Sequence, residues 1–260
     1  MTVLVALDGS DAGFELLTSA KNLATALGRP VRAVHVRAAD GGAHLPIPAD
    51  LGPHVELIEV DGDPATEILR SAGAADVTIV AFSLRGDEGD GHGHVADALL
   101  RSSPHLLFVM RPGMRAVVGL RRILIPLEGS PSSSEAMRQA DDAFCRPGRE
   151  IVLLHVVTSD TPLEAGSMPA PRIMDQEHYE WAEWQEEFRM RFAQCPKGGR
   201  HRVAVRVGEP GPVIVKEAGE LGAELIVVSW SQSLDEGRAA HVRSLIGAAP
   251  CPLLLVPPPA

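Results

Sequence analysis

Residues 86–94 read GDEGDGHGH: four glycines, three acids and two histidines in nine positions. These residue types permit three kinds of chemistry. Glycines let backbone amides approach a phosphate, and a helix starting nearby would add its positive end. His92 and His94, with Asp87, Glu88 or Asp90, offer nitrogen and oxygen ligands for a metal. The third reading is a solvated turn with no chemistry at all.

The acids weigh against phosphate, because Asp87, Glu88 and Asp90 make the local field negative. The metal reading fails on geometry. A His-x-His pair directs both rings to one side only on a strand, and so many glycines do not hold a strand. Metal ligands must also be held in place by further hydrogen bonds. The stretch therefore reads as a mobile loop with incidental histidines, and no metal is expected. Other catalytic signatures are missing: the chain has no G-x-S-x-G, no G-x-x-x-x-G-K-[ST] and no H-E-x-x-H. Ser10 and Ser130 follow strand-like runs and suit helix capping better than nucleophilic attack. No catalytic residue is expected.

The elements around the loop come from an internal repeat. VLVALDGS (3–10) matches ILIPLEGS (123–130) at an offset of 120, and VHV (34–36) matches LHV (154–156) at the same offset. VDGDP (60–64) resembles VGEP (207–210) at 146, and ADVTIVAFS (75–83) matches AELIVVSWS (223–231) at 148. SSPHLLFVMRP (102–112) matches AAPCPLLLVPP (248–258) at 146. The step from 120 to 146 puts 26 extra residues between the second and third strands of the second copy. DQEHYEWAEWQEEFRMRF (175–192) within that insert reads as a helix, its aromatic face packing into a core. The first copy has the Gly- and Pro-rich RAADGGAHLPIPADLGP (37–53) there instead, which reads as loop.

Each copy alternates strand and helix. VLVAL, VTIVAF and LLFVM are continuous apolar runs, as strands covered on both faces require. Ser10 or Asp11 caps a helix with Leu16, Leu17, Ala20, Leu23, Ala24 and Leu27 on one face, closed by Gly28 and Pro30. Pro64 opens another helix, and VADALLR a third. Such alternation implies an α/β fold with parallel sheets flanked by helices. His35 and His155 fall at equivalent positions of the second strands, which points to a shared packing or hydrogen-bonding role. The expected domains are 1–112, shortened by the missing helix, and 121–260. The short linker PGMRAVVGLRR (112–122) should hold the halves against each other.

Composition narrows the partners. The chain of 260 residues is 45 % apolar and carries a net charge of -10. That charge disfavours nucleic acid and anionic membrane surfaces. No apolar run approaches the roughly twenty residues needed to span a bilayer, and MTVLVALDGS does not resemble a signal peptide. Three cysteines, Cys145, Cys195 and Cys251, at wide spacing suit a reducing compartment and argue against a disulfide framework or a Cys-based metal site. A cytoplasmic location is expected.

Taken together, ALDGS and PLEGS, the HV pairs at 35–36 and 155–156, the G-x-P turns and the terminal SPHLLFVMRP and APCPLLLVPP resemble the universal stress protein family in its tandem form. The resemblance spans nearly the whole chain. It implies two five-stranded, parallel-type open sheets of Rossmann-like, adenine nucleotide hydrolase-like kind. It also implies their pairing as an internal pseudo-dimer through Leu106–Met110 and Pro252–Val256. A further homodimer and a protein partner of unknown identity are compatible with it.

Many members bind ATP, with an acid ending strand one, residues ending strand two and a G-x2-G-x9-G-[ST] loop after strand four. Carried onto the first copy, the resemblance gives Asp8, Val36, Gly86, Gly89, Gly93 and His94 as the candidate nucleotide site. The match is degenerate. Ala81 and Leu84 stand at the first two glycines, eight residues and not nine lead to Gly93, and His94 stands at the Ser or Thr. In the second copy Glu128 replaces the acid, Ser229 and Gln232 replace glycines, and Ala239-Ala240 replaces Gly-Ser. A Cβ where an amide must meet phosphate is an obstacle. The expectation is a non-catalytic, stress-associated binding or regulatory protein with no cofactor. The alternative is an ATP switch using the first domain alone.

Overall fold

The structure, a computed structural model, describes residues 1–37, 44–45, 55–74, 76–84, 93–127, 131–157, 198–232 and 238–257, with 131–135 and 238–240 described by their backbone alone. The first half contains β1 (Thr2–Leu7), α1 (Asp11–Leu27), β2 (Val31–Arg37), β3 (Val55–Asp61), α2 (Pro64–Ala72), β4 (Val77–Ser83), α3 (His94–Ser102) and β5 (Leu106–Met110). The second contains β6 (Arg122–Leu127), α4 (Pro131–Phe144), β7 (Glu150–Val157), β8 (Arg200–Val207), α5 (Pro210–Leu221), β9 (Leu225–Ser229), α6 (Arg238–Ala248) and β10 (Leu253–Val256).

The strands form one ten-stranded sheet in the order β3-β2-β1-β4-β5-β10-β9-β6-β7-β8. Each half is a parallel five-stranded unit, and the two units meet where β5 and β10 run antiparallel. Helices cover the faces of the sheet, so the central strands have no wet side. Val3, Leu4 and Val5 of β1, and Ile123, Leu124 and Ile125 of β6, are fully buried. That is why their sequences are apolar without alternation.

Local signals set the helix ends. Ser10 caps α1 by accepting from the Gly13 amide at 3.1 Å, which satisfies one of the helix's open donors. Gly28 closes α1 with φ 65°, a left-handed conformation that glycine adopts without a Cβ penalty. The buried face of α1 includes Leu16, Leu17, Ala20, Leu23 and Ala24, at helical spacing.

At the seam, Leu107, Phe108 and Val109 pair with Leu255, Leu254 and Leu253, all nearly inaccessible to solvent. Side chains of the second half also reach the end of α3. The Trp230 indole N–H donates to the Leu100 carbonyl at 2.7 Å, and the Gln232 amide donates to the Ser103 carbonyl at 2.6 Å. Leu100 needs this outside donor, because the residue four further on is Pro104, which has no N–H.

The linker is packed. Met114, Val117 and Leu120 are buried. Asn22 of α1 donates to the Val117 carbonyl at 2.7 Å. The Glu224 carboxylate accepts from the Gly119 amide at 3.0 Å and from the Arg121 amide.

One expectation is corrected. Cys145, just beyond α4, is disulfide-bonded, whereas Cys251 is a free, buried thiol. Separation along the chain does not set how closely two Cα atoms approach in the fold, and that approach decides bridging. The inference from cysteine spacing to a reducing compartment loses its footing. The helix expected over 175–192, the loop over 86–92 and most of 37–53 lie outside the described residues.

Candidate functional site

In the first half the chain runs outward from β1 to β2 and β3, and α2 then returns it to β4 on the other side of β1. The loops leaving β1 and β4 therefore diverge, and a crevice opens at the carboxyl ends of the strands. A cavity of about 500 Å³ lies there, within the usual range for small-molecule sites. Strand ends supply Leu7, Asp8, His35, Val36, Phe82 and Ser83 to its wall, and helix starts supply Pro64, Gly93, His94 and Val95.

Asp8 is fixed by the turn that follows β1. Its Oδ1 accepts from the Ser10 amide at 3.0 Å and from the Ser10 hydroxyl at 2.6 Å. A Cβ on Gly13 would lie 2.8 Å from that oxygen, so Gly13 is what lets the carboxylate rest over the first turn of α1. The positive end of the helix favours the charge there. Ser10 is thus engaged both as a cap and as a donor to Asp8, a structural use of its hydroxyl.

His35 Nδ1 lies 2.9 Å from the Leu7 carbonyl oxygen, and His155 Nδ1 lies 3.1 Å from the Leu127 carbonyl oxygen. A carbonyl only accepts, so each Nδ1 carries the hydrogen. In each half the imidazole pins the end of one strand to the end of the next, which is the shared role the equivalence of the two positions suggested. In the first half the ring also faces the cavity.

The far wall comes from two helix starts. Gly93 precedes α3 with φ 81°, and no side chain caps that helix. A Cβ there would meet nothing within 4 Å, so conformation and not space favours glycine. Asp63 caps α2, its Oδ2 accepting from the Thr66 amide at 2.9 Å and the Thr66 hydroxyl at 2.8 Å. Its Oδ1 lies 4.0 Å from His94 Nε2 across the rim. The Thr66 amide, then the Thr66 hydroxyl, with His94 adding, hold the Asp63 carboxyl below its usual range.

Four of the six candidate residues, Asp8, Val36, Gly93 and His94, line this one cavity. Gly86 and Gly89 lie outside the described residues. The positions that break the glycine pattern serve the sheet instead. Ala81 is buried on β4, and Leu84 is buried with its N–H already donated to the Met110 carbonyl at 2.8 Å. In the second half Gln232 takes φ 57° and spends its side-chain amide on Ser103. Glu128 lies outside the described residues, as do the side chains of Ala239 and Ala240.

Sequence reasoning passed over Asp63, Phe82 and Ile68 as parts of a site. Asp63 had a local signal as the cap of a Pro-led helix. Phe82 and Ile68 had none beyond their apolar character. Among the described residues no cluster of three or more His, Cys, Asp or Glu is placed to hold a metal ion, and His92 is not among them. Among the described residues no helix is long and apolar enough to cross a membrane.

Comparisons with known proteins agree with this architecture. A universal stress protein from Archaeoglobus fulgidus covers 98 % of this chain with 97 % of its own, at 17 % identity and a TM-score of 0.67. A Pseudomonas aeruginosa protein described as a universal stress protein covers 99 % with 93 % of its own, at 14 % identity and a TM-score of 0.64. At such identities the likeness establishes the fold. None of the curated proteins matches the chain. The model of the universal stress protein family matches residues 119–257, more than half of the sequence, and the chain belongs to that family.

Proposed function

We propose that this protein is a non-catalytic, stress-associated binding protein that takes one nucleoside-type small molecule, in its first half. The observation that carries the reading is the cavity that joins Asp8, Val36 and Gly93 at the carboxyl ends of β1 and β2. Its chemistry suits such a ligand. The Asp8 carboxylate can accept from paired hydroxyls, while Val36, Ile68 and Phe82 offer apolar surface to a flat ring. Catalysis is not part of the reading, because Ser10 serves as a cap and His35 uses Nδ1 to pin β2 to β1. The second half contributes rigidity, its Gln232 being committed across the seam.

A second reading, an ATP-binding switch in the first half, draws on α3 starting at the cavity without a side-chain cap.

Calorimetric titration of the full chain with adenosine and with ATP and Mg²⁺ tests the binding reading. One site per chain is expected, lost in Asp8→Ala and weakened in Asp8→Asn, whose one side-chain oxygen is the acceptor for Ser10 and leaves an amide N–H toward the ligand's hydroxyls. Two sites per chain, or binding indifferent to Asp8→Ala, would overturn it. Phosphate release from ATP over hours would overturn the non-catalytic part.

A further inference from the structure

We infer that the first-half cavity selects an unphosphorylated ligand, with the chemistry of a nucleoside, over its phosphate esters. This deepens the pocket reading above and rests on it. The argument is one of charge placement at the cavity and its rim.

A phosphate ester needs cations or free amides; the described lining supplies no Lys or Arg, and the open amides it offers are those at the start of α3. Among the described residues, those lining the cavity include one carboxylate, Asp8, and two imidazoles, His35 and His94, but no Lys or Arg. Arg37 follows Val36 at the end of β2, yet its guanidinium is paired with Asp61: Nη2 donates to Oδ2 at 3.0 Å, and Nε lies 2.9 Å from Oδ1. The Leu84 amide stands where the family's loop would offer a glycine N–H, and it is spent on the Met110 carbonyl.

The rim is already occupied by an anion. Asp63 holds the start of α2 with one carboxylate oxygen and turns the other toward His94 at 4.0 Å. Hydrogen bonds from the Thr66 amide and hydroxyl hold the Asp63 carboxyl below its usual range. The His94 imidazole at the rim lies against this negative charge. A phosphate arriving between α2 and α3 would displace or crowd the Asp63 carboxylate. The open start of α3 would attract an anion by itself, but the eight residues before Gly93 carry three acids against one arginine. Asp8 and the apolar wall of Val36, Ile68 and Phe82 place no such charge demand on a neutral ligand.

The test is a series of titrations of the full chain with adenosine, AMP and ATP. Adenosine is expected to bind most tightly, with AMP weaker by roughly tenfold or more, as expected for like charges in a half-open site. Raising the salt concentration should strengthen AMP binding and leave adenosine binding alone, because salt screens repulsion between charges. Asp63→Asn keeps an oxygen for the Thr66 amide and removes the charge, and it should narrow the gap between adenosine and AMP. AMP or ATP binding as tightly as adenosine, or AMP binding that weakens with salt, would overturn the inference while leaving the pocket reading intact. An unchanged ratio in a folded Asp63→Asn variant would do the same. No binding by any of the three would sink the pocket reading and this inference together.

Discussion

Trp230→Phe isolates the way in which the second half holds the first. Phenylalanine is what the first half carries at the equivalent position, Phe82, so the fold accommodates the ring. The substitution deletes one donor. The Leu100 carbonyl accepts from the indole at 2.7 Å in a buried setting, and Pro104 offers it no backbone N–H. An acceptor stranded in this way costs about 1–3 kcal/mol, and the smaller ring adds about 1 kcal/mol of lost packing. The sum is about 2–4 kcal/mol, which for a protein of this size lowers the melting temperature by roughly 4–16 °C. Urea unfolding followed by far-ultraviolet circular dichroism measures the loss, with an unchanged denaturant slope showing that stability alone has moved. A variant within about 0.5 kcal/mol of its parent would refute the reasoning, since it would mean that the carbonyl finds another partner at no cost.

Two further outcomes follow from groups elsewhere. Burial works to raise the Glu224 carboxyl, but the amides of Gly119, Arg121, Val118 and Arg122 outweigh it and hold it below its usual 4.5. A lowered carboxyl contributes stability that is complete above the unfolded value and lost as pH falls through the folded one. Stability curves of the parent and of Glu224→Gln should therefore separate at neutral pH and converge in acid, and parallel curves down to that range would contradict the linker contact. Burial pushes the Cys251 thiol up to about 12, with Arg115 opposing it. A thiol reagent at pH 8 should leave Cys251 unmodified in the native protein and label it after unfolding, as peptide mapping would show, and labelling of the native state would contradict its burial.

The strands and helices were legible because their causes are local. A strand buried on both faces must be a continuous apolar run, and Ser10, Gly28 and Pro64 mark helix ends by chemistry that acts within a few residues. Asp8, Val36, Gly93 and His94 could be named through the resemblance to the family, and the parallel sheet brings those strand ends and helix starts to one edge. Asp63 was visible as a cap but not as a neighbour of His94, since that contact joins α2 to α3. Phe82 and Ile68 become cavity wall only when β4 and α2 meet. The disulfide at Cys145 had no readable signal, because bridging depends on approach in space.

Trp230 and Gln232 show why the repeat itself does not predict function. Their first-half equivalents, Phe82 and Leu84, form cavity wall and core. In the second half the same two positions donate to Leu100 and Ser103 at the end of α3. The other end of α3 begins at the cavity, with Gly93 and His94 on its wall. A helix tied at its last turn keeps its first turn in register with Asp8 and Asp63, so the divergence at these two positions of the second copy braces the cavity wall of the first. The two halves share a fold, and they diverge at these two positions through side chains that have no local reason to be tryptophan or glutamine.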